Sequence, residues 1–363
     1  MTPWNPENAD PNQGVGARHH ILPKFLIENF ADRGRVWVRQ RSASVAPGLR
    51  TPKDLAVKDF YTFVHVNGHA DGRLEQQLSQ IESRAAASLK RITDPSEWGR
   101  PFTYLEYGDI VMLVACQRVR GMRERRKIEL LTDATTRIMA VPQPAPGRKL
   151  TPAQRATRNE LRDLVIIPTP EAHLGQLLPL TKATAKHLAL RPLTVVELTA
   201  GAFLTCDEPV TLLFPDDWRP TPMLPPRQRV RSRRRDGVRV PRTRSEIIHV
   251  QNTQGGLEEA AEIVMPIGPR TALVFGAING TEPTHERLDE QESLHAAAEL
   301  NALLRGQAHF FALCRPDDRD LLDDELPAIG PLLRIGGVTP DQARVAASAT
   351  PYLKPMLHRH RKP

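Results

Sequence analysis

The apolar pattern of this chain changes period partway along, and that change constrains its fold more than any other feature. Over residues 73–92, Leu74, Leu78, Ile81, Ala85, Leu89 and Ile92 recur at helical spacing and make one apolar stripe. From residue 193 onward the apolar residues come in short runs rich in β-formers, at 193–198, 202–205, 210–214, 246–251, 262–266, 271–276 and 308–313. The expected class is α+β. It has an N-terminal helix and hairpin, a helical middle, and an antiparallel sheet in the C-terminal half, formed largely by residues 193–278 and 308–313.

Local signals fill in this outline. Residues 1–17 read as a loose lead-in. Pro23 sits where a first helical turn can start, Phe25, Leu26 and Phe30 follow at helical spacing, and Asp32-Arg33-Gly34 stops that helix. Residues 35–42 alternate, with Val36 and Val38 on one face, and residues 60–64 form a second strand. Thr103 and Glu106 have the spacing of a capping box. The helix they open runs through the apolar residues 110–116 and turns basic from Arg118 to Lys127. Residues 141–149 are a proline-rich linker. Thr151-Pro152 and Thr169-Pro170 open two more helices, and Pro179 should kink or end the second. A helix over about 292–305 precedes the last strand. Thr339-Pro340 opens a short one, and residues 358–363 are a solvated basic tail. The division expected is a single domain over 18–315, with a proline- and arginine-rich loop at 215–244 and an extension over 316–363. The loop reads as a mobile excursion outside the core.

Composition excludes several classes. The 3 cysteines lie far apart, so neither a disulfide scaffold nor a cysteine-built zinc site is available. Neither GxxxxGK nor GxGxxG occurs, which removes the common phosphate loops. The start of the chain lacks an apolar signal core, and residues 110–116, the longest apolar run, fall far short of the roughly 20 residues of a membrane span. A cytoplasmic chain with no membrane partner is expected. The net charge is +8, and 40 of the 50 basic residues are arginine, which forms bidentate bonds to phosphate. Arginine richness also follows from the base composition of a genome and by itself assigns no function.

Three stretches could carry chemistry. Arg18-His19-His20-Ile21-Leu22-Pro23 has the adjacent histidines that metal nucleases use, one as ligand to a divalent ion and one as base toward water. Asn29 and the pair His65 and His69 are nearby in sequence. The plain alternative is that His19 or His20 orders the first helix through a hydrogen bond. Thr205-Cys206-Asp207-Glu208-Pro209 lies between two strands, where Asp207 is a metal ligand, a base, or a residue bonding its own turn. The adjacent acids argue against Cys206 as a nucleophile. The third stretch is basic. Arg118, Arg120, Arg123, Arg125, Arg126 and Lys127 crowd one helix end with Glu124 as the opposing acid, and residues 227–244 hold nine arginines and Asp236. Such clusters neutralise phosphates, or complement a helix C-terminus and solvate a loop.

Taken together, these stretches resemble a bacterial family catalogued as domain of unknown function 4238. The opening motif is similar over residues 19–31, and so are Asp59 to Phe63, Ile81-Glu82-Ser83, the 205–210 turn, residues 265–270 and Leu300-Asn301. The likeness spans about residues 18–315. The chain has Ile21 and Leu26 where the family usually shows Tyr, Cys206 where it shows Ser, and Glu208 where it shows Asn. The resemblance implies a fold and candidate positions, and it assigns no reaction.

Two functions stay open at this level. In the first, a metal-assisted phosphodiesterase acts on nucleic acid. His20 and Asp207 are catalytic, His19 and Glu208 hold a divalent metal, and Arg118, Arg120, Arg123 and Asn301 bind substrate. In the second, the chain is a non-catalytic nucleic-acid-binding or protein-interaction module in which the histidines are structural.

Overall fold

The computed structural model describes residues 18–336 except 43, 56, 59–62, 65–69, 72, 141–148, 163–167, 169, 220–233, 236–237, 240–248, 253–254 and 279–283. The helix α1 spans Lys24–Asn29, α2 Arg73–Ile92, α3 Tyr104–Arg120, α4 Met122–Ala140, α5 Pro152–Arg162, α6 Pro170–Leu188 and α7 Glu290–Gln307. The strands that build the two main sheets are β1 (Val36–Gln40), β2 (Gly48–Arg50), β3 (Leu193–Glu197), β4 (Thr205–Cys206), β5 (Thr211–Leu213), β6 (Glu262–Pro266), β7 (Thr271–Phe275), β8 (Thr284–Arg287) and β9 (Phe311–Cys314).

The class is α+β as expected, but the strands divide differently. One sheet has the order β8-β3-β7-β6-β5, and the other β2-β1-β9-β4. The strand over 311–314 therefore joins the N-terminal hairpin, with Leu313 opposite Val38, and leaves the 193–278 set. The larger sheet is antiparallel except for β8, which runs parallel to β3. The N-terminal hairpin pairs β1 with β2, while Phe63–Val64 pairs with Ala70–Asp71. A short turn after β1 brings β2 back before residues 60–64 are reached, and near neighbours close at lower entropic cost.

Period-two alternation explains why helices cover both faces of these sheets. Ile263, Met265, Leu273, Phe275, Phe311 and Leu313 enter one core with Val36 and Val38, packed against α2, α3 and α6. Their neighbours Val264, Ala272, Ala312 and Cys314 enter a second core with Ala297, Leu300 and Leu304 of α7.

The capping signals are realised. The Glu106 N–H donates to Thr103 Oγ1 at 3.3 Å and the Thr103 N–H returns to Glu106 Oε2 at 2.8 Å. Thr151 caps α5 through Gln154, and Asp289 with Glu292 caps α7. Pro179 does not end α6. It removes the N–H that would meet the Gly175 carbonyl, but both residues lie on the exposed side, where that carbonyl is open to solvent. The basic stretch after residue 117 is not one helix either: α3 ends at Gly121 and α4 begins at Met122.

Residues 316–336 continue the fold. Leu322 is buried in the second core, and Leu333–Gly336 pairs with His249–Asn252. In the arginine-rich loop Arg234–Arg235 pairs with Val238–Arg239. Thr169, the His65 and His69 pair, the 1–17 lead-in, the helix expected after residue 339 and most of 215–244 lie outside the described residues. No helix among the described residues is long and apolar enough to cross a membrane.

Candidate functional site

The C-terminal turn of α3 and the first turns of α4 carry the charged stretch, and nearly all of it is enclosed. Gln117, Arg118, Arg120, Arg123, Arg126, Lys127 and Glu129 are buried. Charges under cover need partners. Arg118 and Lys127 share Glu124 Oε1 at 3.2 and 2.8 Å. Arg120 reaches Glu82 Oε1 at 2.5 Å, and Arg126 pairs with Glu129.

The 205–211 turn closes this corner from the sheet side. Glu208 Oε1 accepts the backbone N–H of Arg123 at 2.7 Å, and the Glu208 carboxylate rests against Gly121. Gln307 of α7 donates to the Glu208 carbonyl at 2.6 Å and to Thr211 Oγ1 at 2.8 Å, while its own oxygen accepts from Arg123 Nη2 at 3.0 Å. Asp207 points elsewhere. Its oxygens accept the N–H groups of His309 and Phe310 at 2.9 Å each, and of Phe311 at 3.4 Å. It thereby fixes the chain entering β9.

Burial governs the titration of these groups. Burial and then the adjacent Glu208 push Asp207 up to about 7, against its three backbone donors. Burial also raises Glu208, opposed by Arg123. Burial takes Lys127 down to about 8 against the pull of Glu124. His309 is driven down to about 3 by burial and then by Arg123, Arg41 and Arg126, so it stays neutral in a positive field. Burial raises Cys206 well above the ordinary thiol, and its Sγ donates to the Glu208 carbonyl, in keeping with an inert cysteine.

The other expected site residues have separate surroundings. His19 lies in a two-residue strand with its side chain outside what is described. The His20 ring meets the Pro52 carbonyl at 3.1 Å and is lowered mainly by burial, while the His20 carbonyl accepts from Arg120. Asn301 spends its amide on the backbone, accepting from Leu204 N–H at 2.9 Å and donating to the Ala202 carbonyl at 2.8 Å. Asn29 donates to the Ile267 carbonyl at 2.8 Å. The structure thus brings Arg118, Arg123 and Glu208 into one cluster and sets His20 and Asn301 in anchoring contacts of their own. Among the described residues, no three His, Cys, Asp or Glu side chains group as a metal-binding set.

Sequence reasoning missed Gln117, Gln307 and His309 and gave Thr205 no role of its own. His309 is a polar residue inside an otherwise apolar run, a signal that could have marked it, whereas Gln117 ends an apolar run just before Arg118 and carries no such mark. Both amide atoms of Gln117, Thr205 Oγ1 and His309 Nε2 are buried without a hydrogen-bond partner among the described residues. Such atoms are uncommon in folded proteins and call for an explanation.

Fold and corner together define an α+β protein whose chemistry-bearing side chains collect at a buried junction between two helices. The model of the family described as protein of unknown function, DUF4238, matches residues 18–318, and the chain belongs to that family. No curated protein and no solved structure matches it significantly.

Proposed function

We propose that the α3–α4 corner binds a phosphate group and that the chain is a non-catalytic binding module for phosphate-bearing ligands, nucleic acid among them. One observation carries this reading: Arg118, Arg123 and Lys127 are enclosed together facing Glu124 and Glu208, three cations against two acids. A phosphate supplies both the missing charge and acceptor oxygens. The cations lie under the surface, so the middle of a duplex cannot lie across them. A terminal phosphate or a small phosphate ester is the form that fits.

The phosphodiesterase reading draws less from these contacts. Both oxygens of Asp207 accept backbone N–H groups, Glu208 caps α4, and the His20 ring engages Pro52. Fluorescence anisotropy with single-stranded oligonucleotides, with and without a 5′-phosphate, tests the proposal. The phosphorylated strand should bind about tenfold more tightly, and Arg118→Met should remove the difference. Equal binding of the two strands would defeat it. Metal-dependent cleavage lost in a folded His20→Ala variant would restore the phosphodiesterase.

A further inference from the structure

We infer that the outer face of the α2, α3 and α6 layer is a docking surface for an anionic lipid bilayer. The inference is independent of the phosphate corner and goes beyond it. Such a contact is made from outside the bilayer and needs no spanning helix. It replaces the expectation of no membrane partner, which rested on the absence of a spanning apolar run.

α3 packs between α2 and α6, with its inner face on the core that the sheets share. The outward positions of the three helices carry one sign of charge. Arg84 and Lys90 of α2 and Lys182 and Lys186 of α6 are exposed, and among the described residues no acid of these helices is. Their acids are engaged or half-buried instead. Glu82 pairs with the buried Arg120, Glu106 pairs with Arg91, and Asp109 accepts from Ser88 Oγ at 3.2 Å. Glu75 is half-buried and feels the charge of Arg120. Of the exposed acids that adjoin the face, Asp94 accepts the Ser96 N–H at 2.9 Å and Glu258 lies 3.8 Å from His187. A base composition that favours arginine does not account for the pattern. Three of the four cations are lysine, in a chain where 40 of the 50 basic residues are arginine.

A second observation separates a bilayer from other polyanions. On α3, between the cations of α2 and α6, stand the two most exposed large apolar side chains of the described residues, Tyr104 at 88% and Leu105 at 75%. Both lie in the first turn, which the capping box of Thr103 and Glu106 holds, so a fixed helix presents them. Leu190, 57% exposed, is brought beside them: Tyr107 Oη, one turn after Tyr104, meets the Leu188 and Arg191 carbonyls at 3.1 and 2.5 Å. Clustered apolar side chains with a polar rim mark contact surfaces. Here the lysine ammonium groups suit headgroup phosphates, leucine suits the acyl boundary, and tyrosine favours the interface between the two. A nucleic-acid backbone would use the cations and leave Leu105 and Leu190 in water.

The full chain is sedimented with vesicles of phosphatidylcholine alone and of phosphatidylcholine with about one-third phosphatidylserine. Wild type should bind the anionic vesicles and leave the neutral ones in suspension without it. Each cation at an anionic surface raises partitioning about fivefold, so Lys182→Gln with Lys186→Gln should weaken binding about thirtyfold. Leu105→Ser should weaken it about tenfold, and because that side chain is exposed the fold is kept. No binding to the anionic vesicles refutes the inference. Binding that survives both sets of substitutions comes from the net charge of the chain and refutes it as well. Binding lost with the two lysines but unchanged in Leu105→Ser marks a general polyanion surface, nucleic acid included, and overturns the bilayer.

Discussion

Asn301 commits both ends of its amide to the approach of β4, one to the Leu204 N–H and one to the Ala202 carbonyl, at 6% exposure. Replacing it leaves two buried backbone groups unpaired. Asn301→Ala should cost about 2–4 kcal/mol in urea denaturation, and a loss below about 0.5 kcal/mol would show that the clamp is dispensable. His309 gives a pH signature. Its folded pKa, near 3, lies below the ordinary value of about 6.5, so the unfolded chain takes up a proton that the native state refuses. Its stabilising share is present above about pH 6.5 and is lost as pH falls toward 3, by up to about 5 kcal/mol. Asp207, raised to about 7, works in the opposite sense and gains stability as pH falls from 7 toward 4. Stability against pH for wild type and His309→Gln isolates the histidine: the variant should lose less on acidification between pH 6 and 4. A parallel pair of curves would refute this. The sequence marked Asp207, Glu208 and Arg123 as chemistry-bearing, but their hydrogen-bond partners lie 85 to 184 residues away, and no local pattern encodes those.

At the scale of elements, local signals were legible and distant causes were not. The period of α2 and the caps of α3 and α5 are written within a few residues, so they can be read from the chain directly. Thr103→Ala, which removes one half of the α3 cap, should lower stability by about 1 kcal/mol, measured as a shift in urea midpoint with the slope unchanged. The break at Gly121 could not be read in this way. Residues on either side keep a helical composition, and what meets the junction is Glu208, brought there from the sheet. Gly121→Ala should therefore destabilise through a clash although its backbone would accept alanine, by about 1–3 kcal/mol. A neutral result would show that the carboxylate moves freely. Pro179 misled for a related reason: the sequence shows the missing N–H but not which side of α6 faces water.

For the whole molecule, the sheet partition was the least legible feature, because β1 and β9 are joined across most of the chain and hydrophobic runs do not name their partners. Residues beyond 315, read from the sequence as an extension, pack against the N-terminal hairpin. Arg39 donates to the Leu322 carbonyl, Arg41 donates to the Pro327 carbonyl, and Leu322 is fully buried. A chain ending at residue 315 should melt at a distinctly lower temperature than the full chain, since burying one leucine is worth about 2 kcal/mol and the arginine bonds go with it. Equal melting temperatures would show that the extension only decorates the surface.

The place of β9, between β1 and β4, has a consequence for synthesis on the ribosome. The β1–β2 hairpin is among the first structured pieces to leave the exit tunnel, yet its open side stays without a neighbour until residues 311–314 have been translated. Throughout that interval it presents an unpaired strand edge of the kind that templates association between chains. Translation speed and chaperone cover along the intervening residues thus bear on the yield of this fold, because the first strand of its two main sheets is completed by one of the last.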